Sequence, residues 1–139
     1  MPYLLDTNII SEIRKRKRAN QGVVEFFVST DPDTVYLPVQ VIGELRSGID
    51  GLRHRDPTQA AALETWLTIV LNEYSERILL FDIECALVWG RLIAGHRQNL
   101  IDKQIAAIAL VHDLVVVTNN IKDFMPCGVK TLNPFFVPI

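Results

Sequence analysis

Two cysteines and three histidines in 139 residues leave little from which to build a nitrogen and sulfur metal cage or a disulfide frame. Cys85 and Cys127 stand far apart, flanked by apolar or turn residues and without C-x-x-C spacing, so nothing points to zinc or dithiol chemistry and a reduced, intracellular protein is expected. Neither sign of charge dominates: 14 Lys and Arg against 16 Asp and Glu give a net charge of -2, with a sequence pI of about 5.9. That excludes a strongly basic nucleic-acid coat, and any nucleic acid has to be gripped locally. No apolar run approaches the roughly 20 residues that cross a bilayer. The leading Tyr3-Leu4-Leu5 meets Asp6 at once, with no basic segment and long apolar run to mark export. A soluble, cytoplasmic protein without a membrane partner is expected.

What is present reads as one globular domain over residues 1–139, with 49% hydrophobic and 22% charged residues. Short apolar runs at Tyr3 to Leu5, Val35 to Leu37, Ile78 to Phe81, Leu114 to Thr118 and Val129 to Leu132 read as strands, most of them apolar enough to be buried on both faces. They alternate with segments of helical period. A first helix is expected from Ile9, capped by Thr7 or Asn8, a second over Gln21 to Ser29, and a third opened by Pro38 and running to Leu52. A long helix from Pro57 to Glu73 carries a stripe of Leu63, Trp66, Leu67 and Val70, either core or a partner-binding face. Asp82 caps the next helix, and Asn99 or Asp102 the one after it, whose Ala106, Ala107 and Ala109 let it lie close to the sheet. The stretch Gly48 to Asp56 reads as a loop. This alternation predicts an α/β fold, a three-layer α/β/α sandwich around a central parallel sheet.

In such a sheet, ligands bind beyond the carboxyl ends of the strands where chain order reverses. Asp6, Thr7 and Asn8 leave the first strand there, and Thr118, Asn119 and Asn120 leave the strand Val115 to Val117. Asp6 reads either as a cap or as a metal ligand. Glu44 lies at the border of an apolar helix face, either solvated or turned to a site, and Asp102 near a helix start is either a cap or an ionised ligand. Taken together, these acids have a purpose. Two carboxylates about 4 Å apart repel by about 4 kcal/mol at an effective dielectric of 20, so an ionised cluster calls for a divalent cation. Mg2+ or Mn2+ takes such oxygen ligands without His or Cys and can promote phosphodiester hydrolysis. The run Arg14, Lys15, Arg16, Lys17, Arg18 is either a solvated turn or a phosphate-contacting patch.

Four segments carry a resemblance. Leu4-Leu5-Asp6-Thr7-Asn8-Ile9-Ile10-Ser11-Glu12, Val41-Ile42-Gly43-Glu44-Leu45, Leu100-Ile101-Asp102-Lys103-Gln104-Ile105-Ala106-Ala107 and Val117-Thr118-Asn119-Asn120-Ile121-Lys122-Asp123-Phe124 resemble, in order, the motifs of PIN-domain ribonucleases, and most nearly those of VapC and FitB type toxins. The resemblance implies a Mg2+- or Mn2+-dependent endoribonuclease acting on RNA. It also implies a homodimer, with higher toxin–antitoxin assemblies, silenced by a cognate antitoxin of the VapB or FitA type. Asp6, Glu44 and Asp102 match the family's metal-binding acids. Where the family often has a fourth acid, Asn120 stands here, with Asp123 in the same turn; both join the candidate catalytic residues, and the change puts a second metal site in doubt. Thr7, Asn8, Thr118, Asn119, Arg14 and Lys15 are the candidate substrate contacts.

Two other classes compete. A non-catalytic binding domain of the same fold is favoured by Asn120. A phosphoryl-accepting receiver domain would need an acidic pair near the first strand and a Lys at the last, but Asp6 stands alone and Val117 leads to Thr118. A haloacid-type phosphatase needs a second Asp where Asn8 stands.

Overall fold

The computed structural model describes residues 2–138. Five short strands, β1 (Tyr3–Leu5), β2 (Val35–Pro38), β3 (Ile78–Leu79), β4 (Val115–Val117) and β5 (Thr131–Leu132), form one sheet in the order β3-β2-β1-β4-β5. Every neighbouring pair is parallel, with Tyr3 opposite Val35 on one side and Val115 on the other. Successive side chains of a strand point to opposite faces, and Leu4, Leu5, Val116 and Val117 are all fully buried. Both faces of the central strands are therefore covered, giving the expected α/β/α sandwich.

The covering helices are α1 (Thr7–Ile13), α2 (Gln21–Ser29), α3 (Val39–Leu52), α4 (Pro57–Glu73), α5 (Ile83–Ile93), α6 (Leu100–His112) and the short α7 (Ile121–Phe124). α3 packs on α4 and α5 on α6. Ile9, Val41, Leu67, Ile105, Ile108 and Phe124 bring one face of five helices into a single core with the strands. Ala106, Ala107 and Ala109 are buried along α6, so small side chains do bring that helix close to its neighbours. Along α4 the stripe divides. Leu67 and Val70 are core and Leu63 and Trp66 half-buried against it, whereas Ile69 and Leu71 are exposed.

Three local expectations are corrected. α1 begins at Thr7 rather than Ile9, because the cap is Asp6, whose Oδ1 accepts the Thr7 amide at 2.8 Å. The third helix runs to Leu52 as expected, so the loop expected from Gly48 begins only after it: burial of Ile49 holds the last turns of α3 helical despite two glycines, since packing outweighs the roughly 1 kcal/mol each costs. The residue before α6 is Asn99, in the left-handed conformation (φ 54) and without a side-chain cap, so Asp102 lies inside the first turn instead of preceding it. Asp82 does cap α5, its Oδ1 accepting the Cys85 amide at 3.0 Å.

Candidate active site

β1 and β4 lie side by side at the centre of the sheet, and the chain runs outward from them in both directions, so their carboxyl ends meet where strand order reverses. Asp6 follows β1 directly, and its amide donates to Val117 O at 3.0 Å, tying the two strand exits together. The Asp6 side chain is buried, with 4% of its surface exposed. Its carboxylate is fully engaged: Oδ1 accepts from the Thr7 amide, and Oδ2 from Asn8 Nδ2 at 3.0 Å and Thr118 Oγ1 at 2.8 Å. These bonds favour the ionised form, but burial outweighs them and, with repulsion from Asp123, holds its pKa above the ordinary carboxylate value.

Thr118 links the two loops. Its side chain is fully buried, and its hydroxyl donates to Asp6 and accepts from the Asn120 amide at 2.9 Å and from Asn8 Nδ2 at 3.3 Å. Asn8 Oδ1 in turn accepts the Asn119 amide at 3.1 Å. Thr118 and Asn8, singled out as substrate contacts, are thus committed to holding Asp6 and the β4 exit. Thr118 is fully buried and its hydroxyl is spent on these bonds. Asn119 and Asn120 are exposed, and Asn120 precedes α7 without a side-chain cap bond.

The other acids come from separate elements. Glu44 is exposed on α3, and its Oε1 accepts the Thr7 hydroxyl. Asp102 is half-buried in the first turn of α6, where the helix dipole favours charge. Its pKa is nevertheless pushed up to about 6 by burial first, then by the charges of Asp6, Asp123 and Glu44. Asp123 is half-buried in α7, and its Oδ1 accepts from Asn99 Nδ2 at 3.4 Å. The fold therefore brings residues 6, 44, 102 and 123 within electrostatic reach of one another. Among the described residues, none of the four is in an ion pair.

The donor set is entirely oxygen, suited to a hard divalent cation. The carboxylates nevertheless stand apart: no group of three or more His, Cys, Asp or Glu among the described residues is already disposed to hold a metal. Thr7, held by its hydroxyl to Glu44, stands between the Asp6 and Glu44 carboxylates.

The basic run divides too. Lys15 pairs with Glu12 at 3.0 Å on the surface, Arg16–Arg18 form an exposed 3-10 turn, and the half-buried Arg14 lies over the Trp66 ring at 5.9 Å. One buried cation gave no signal in the sequence: Lys103, beside Asp102, turns inward and donates to His96 O. Its apolar-looking place in the helical period is filled by a stem that reaches a loop carbonyl.

The PIN-domain family model matches residues 3–124. The chain belongs to the PIN-domain family. Its PIN domain is 32% identical over 137 residues to the plasmid stability protein StbB of Pseudomonas syringae pv. tomato, covering 95% of this chain and 97% of that one. It is 31% identical to the toxin FitB of Neisseria gonorrhoeae over the same shares. A solved structure of FitAB bound to the IR36 DNA fragment matches the PIN domain with a TM-score of 0.85 and 29% identity, over 99% of this chain and 98% of that one.

Proposed function

We propose that this PIN domain is a metal-dependent endoribonuclease, the toxin of a type II toxin–antitoxin module. The observation that carries the proposal is the meeting of Asp6, Glu44, Asp102 and Asp123 at the strand-order switch, with repulsion and burial raising Asp102 to about 6 and no cationic side chain paired with them among the described residues. An acidic cluster left this way is stabilised by a divalent cation. Asp6, Glu44 and Asp102 would hold Mg2+ or Mn2+, with Asp123 beside them and Asn120 offering only an amide oxygen. When bound, the ion supplies charge stabilisation at the phosphodiester and lowers the pKa of a water.

The chain's own groups supply the positioning. Thr118, Asn8 and the Thr7 amide fix both oxygens of Asp6, and the Thr7 hydroxyl orients Glu44. Glu44 and Asp102 are free to close on a cation, because each lies on a helix edge without a competing ion pair. Arg14 and Lys15 give the substrate phosphates a positive rim beside the negative pocket. The toxin role, a cognate antitoxin of the VapB or FitA type and a homodimer are supported by likeness to the FitB toxin and to a FitAB complex bound to DNA.

A second reading, a PIN domain that binds without cutting, is favoured by Asn120 and by the open arrangement of the acids. Purified protein incubated with single-stranded RNA and Mn2+ or Mg2+ separates the two. Cleavage should be seen with metal, vanish with chelator and vanish in Asp6→Asn; equal cleavage by parent and variant would end the nuclease proposal.

A further inference from the structure

Beside the acidic site runs a cleft of about 310 Å3 between α1, α3 and α4. Thr7 and Glu44 line it at the end shared with the acidic site, and Leu45, Ile49, Leu63 and Trp66 form apolar walls. Arg14, directly after α1, closes it, with its guanidinium over the Trp66 ring at 5.9 Å. That separation is at the outer limit of a cation–π contact. Arg14 is in no ion pair among the described residues, unlike Lys15.

We propose that this cleft is a nucleobase subsite: an unpaired base of the RNA, next to the phosphate held at the acidic cluster, stacks on Trp66 and is capped by Arg14. The proposal rests on the nuclease reading and names what that reading leaves open, the determinant of RNA recognition. Single-stranded RNA is recognised by bases splayed onto aromatic rings and guanidinium planes, and this cleft presents one of each. Its position supplies the second argument. Because Thr7 and Glu44 belong to both cleft and acidic site, a nucleotide flanking the bound phosphate has the cleft directly beside it. Charge is the third: the acids repel a polyanion, whereas Arg14, which lines the cleft, is the first of five consecutive cationic residues.

The test is a binding cycle. A labelled single-stranded oligoribonucleotide, intact or with one abasic ribose placed at each position in turn, is titrated with full-length protein in the presence of Ca2+. In the parent, one position should be sensitive, its abasic form binding about tenfold more weakly, as the loss of one stacked base predicts. Trp66→Leu should bind intact RNA about tenfold more weakly and lose that sensitivity, Trp66→Phe should restore most of it, and Arg14→Gln should reduce the slope of log affinity against log salt by about one. A folded Trp66→Leu protein that binds every RNA as the parent does would overturn the proposal and leave the cleft to a protein segment. Should Trp66→Leu fail to fold, a parent with no single sensitive position overturns it equally. Cleavage is followed separately in Mn2+: a parent that does not cut refutes the nuclease reading, whereas a parent that cuts with Trp66→Leu unchanged in KM refutes only the subsite.

Discussion

Thr118 shows how much of this site depends on a residue that is fully buried. Its hydroxyl serves Asp6, Asn8 and the Asn120 amide at once, in a fully buried position. Thr118→Val keeps the shape and removes the hydroxyl, leaving a buried carboxylate oxygen and a backbone amide short of partners, at a cost of about 1–3 kcal/mol. Calorimetry should show a lower Tm, and metal titration an affinity weaker by roughly 10- to 100-fold, as for other supports of a metal ligand. Thr118→Ser should recover most of both. The sequence marked Thr118 as important because it leaves a central strand, but Asp6 and Asn8 lie more than a hundred positions away, and no local pattern distinguishes a support from a substrate contact. Asp102 makes the opposite case. Its carboxyl ionises near 3.8 when unfolded and about 6 in the fold. Between those values the folded chain holds a proton the unfolded chain has released, so stability falls as pH rises through that window and the penalty is complete above about 6. In chelator, Asp102→Asn should therefore raise Tm at about pH 7.5 by a few degrees, roughly what 1 kcal/mol gives in a domain of this size. The gain should shrink to nothing as the pH is brought below about 4. A variant that is less stable than the parent under the same mildly alkaline conditions would show that the carboxyl is not under repulsion.

At the scale of elements, most helices and strands were legible because period and caps agree with packing. The exceptions have specific causes. The end of α3 reads as helix by its apolar period and as loop by its glycines; Gly48 and Gly51 face open space and Ile49 faces the core, so the helix continues. α7 is only four residues long and carries no period that could announce it, although it places Asp123 in the site. α2 was legible in its bounds but not in its need for glycine. A Cβ on Gly22 would lie 2.0 Å from Pro134 O and 2.6 Å from the Phe136 amide, because the C-terminal segment crosses the start of that helix. Asn20 fastens the crossing, its Oδ1 accepting the Phe136 amide and its Nδ2 donating to Phe136 O, both at 2.8 Å. Gly22→Ala must push this backbone away and break both bonds, which should destabilise by about 1–3 kcal/mol, the usual range for overpacking. Limited proteolysis is the direct check: the variant should be clipped within residues 133–138 under conditions that leave the parent intact. Equal resistance would mean that the segment is held elsewhere.

For the molecule as a whole, the balance lies between a core that tolerates no slack and a pocket that is electrostatically unfavourable alone. The sheet order brings Asp6 and the β4 exit together, α3 and α6 carry Glu44 and Asp102 to the same edge, and α7 adds Asp123. The helices that carry Glu44 and Asp102 are anchored by buried neighbours of those acids, Val41 and Leu45 in α3 and Ile105 and Ile108 in α6. The helices that carry Glu44 and Asp102 therefore cannot move apart without loosening the core. A divalent ion should then act on the stability of the entire chain, because it binds the folded arrangement and finds no such site in the unfolded one. Titrating chelator-treated protein with Mn2+ should raise Tm continuously, the gain reaching about 2.7 kcal/mol when the free ion stands at about 100 times its Kd. Asp6→Asn should flatten that response by removing the central carboxylate charge, and Ca2+ should give a response of its own because the ligands are all oxygen. If Mn2+ leaves Tm unchanged in the parent up to millimolar concentration, or raises it equally in Asp6→Asn, the acids form no cation site, and their crowding at the sheet edge needs another cause.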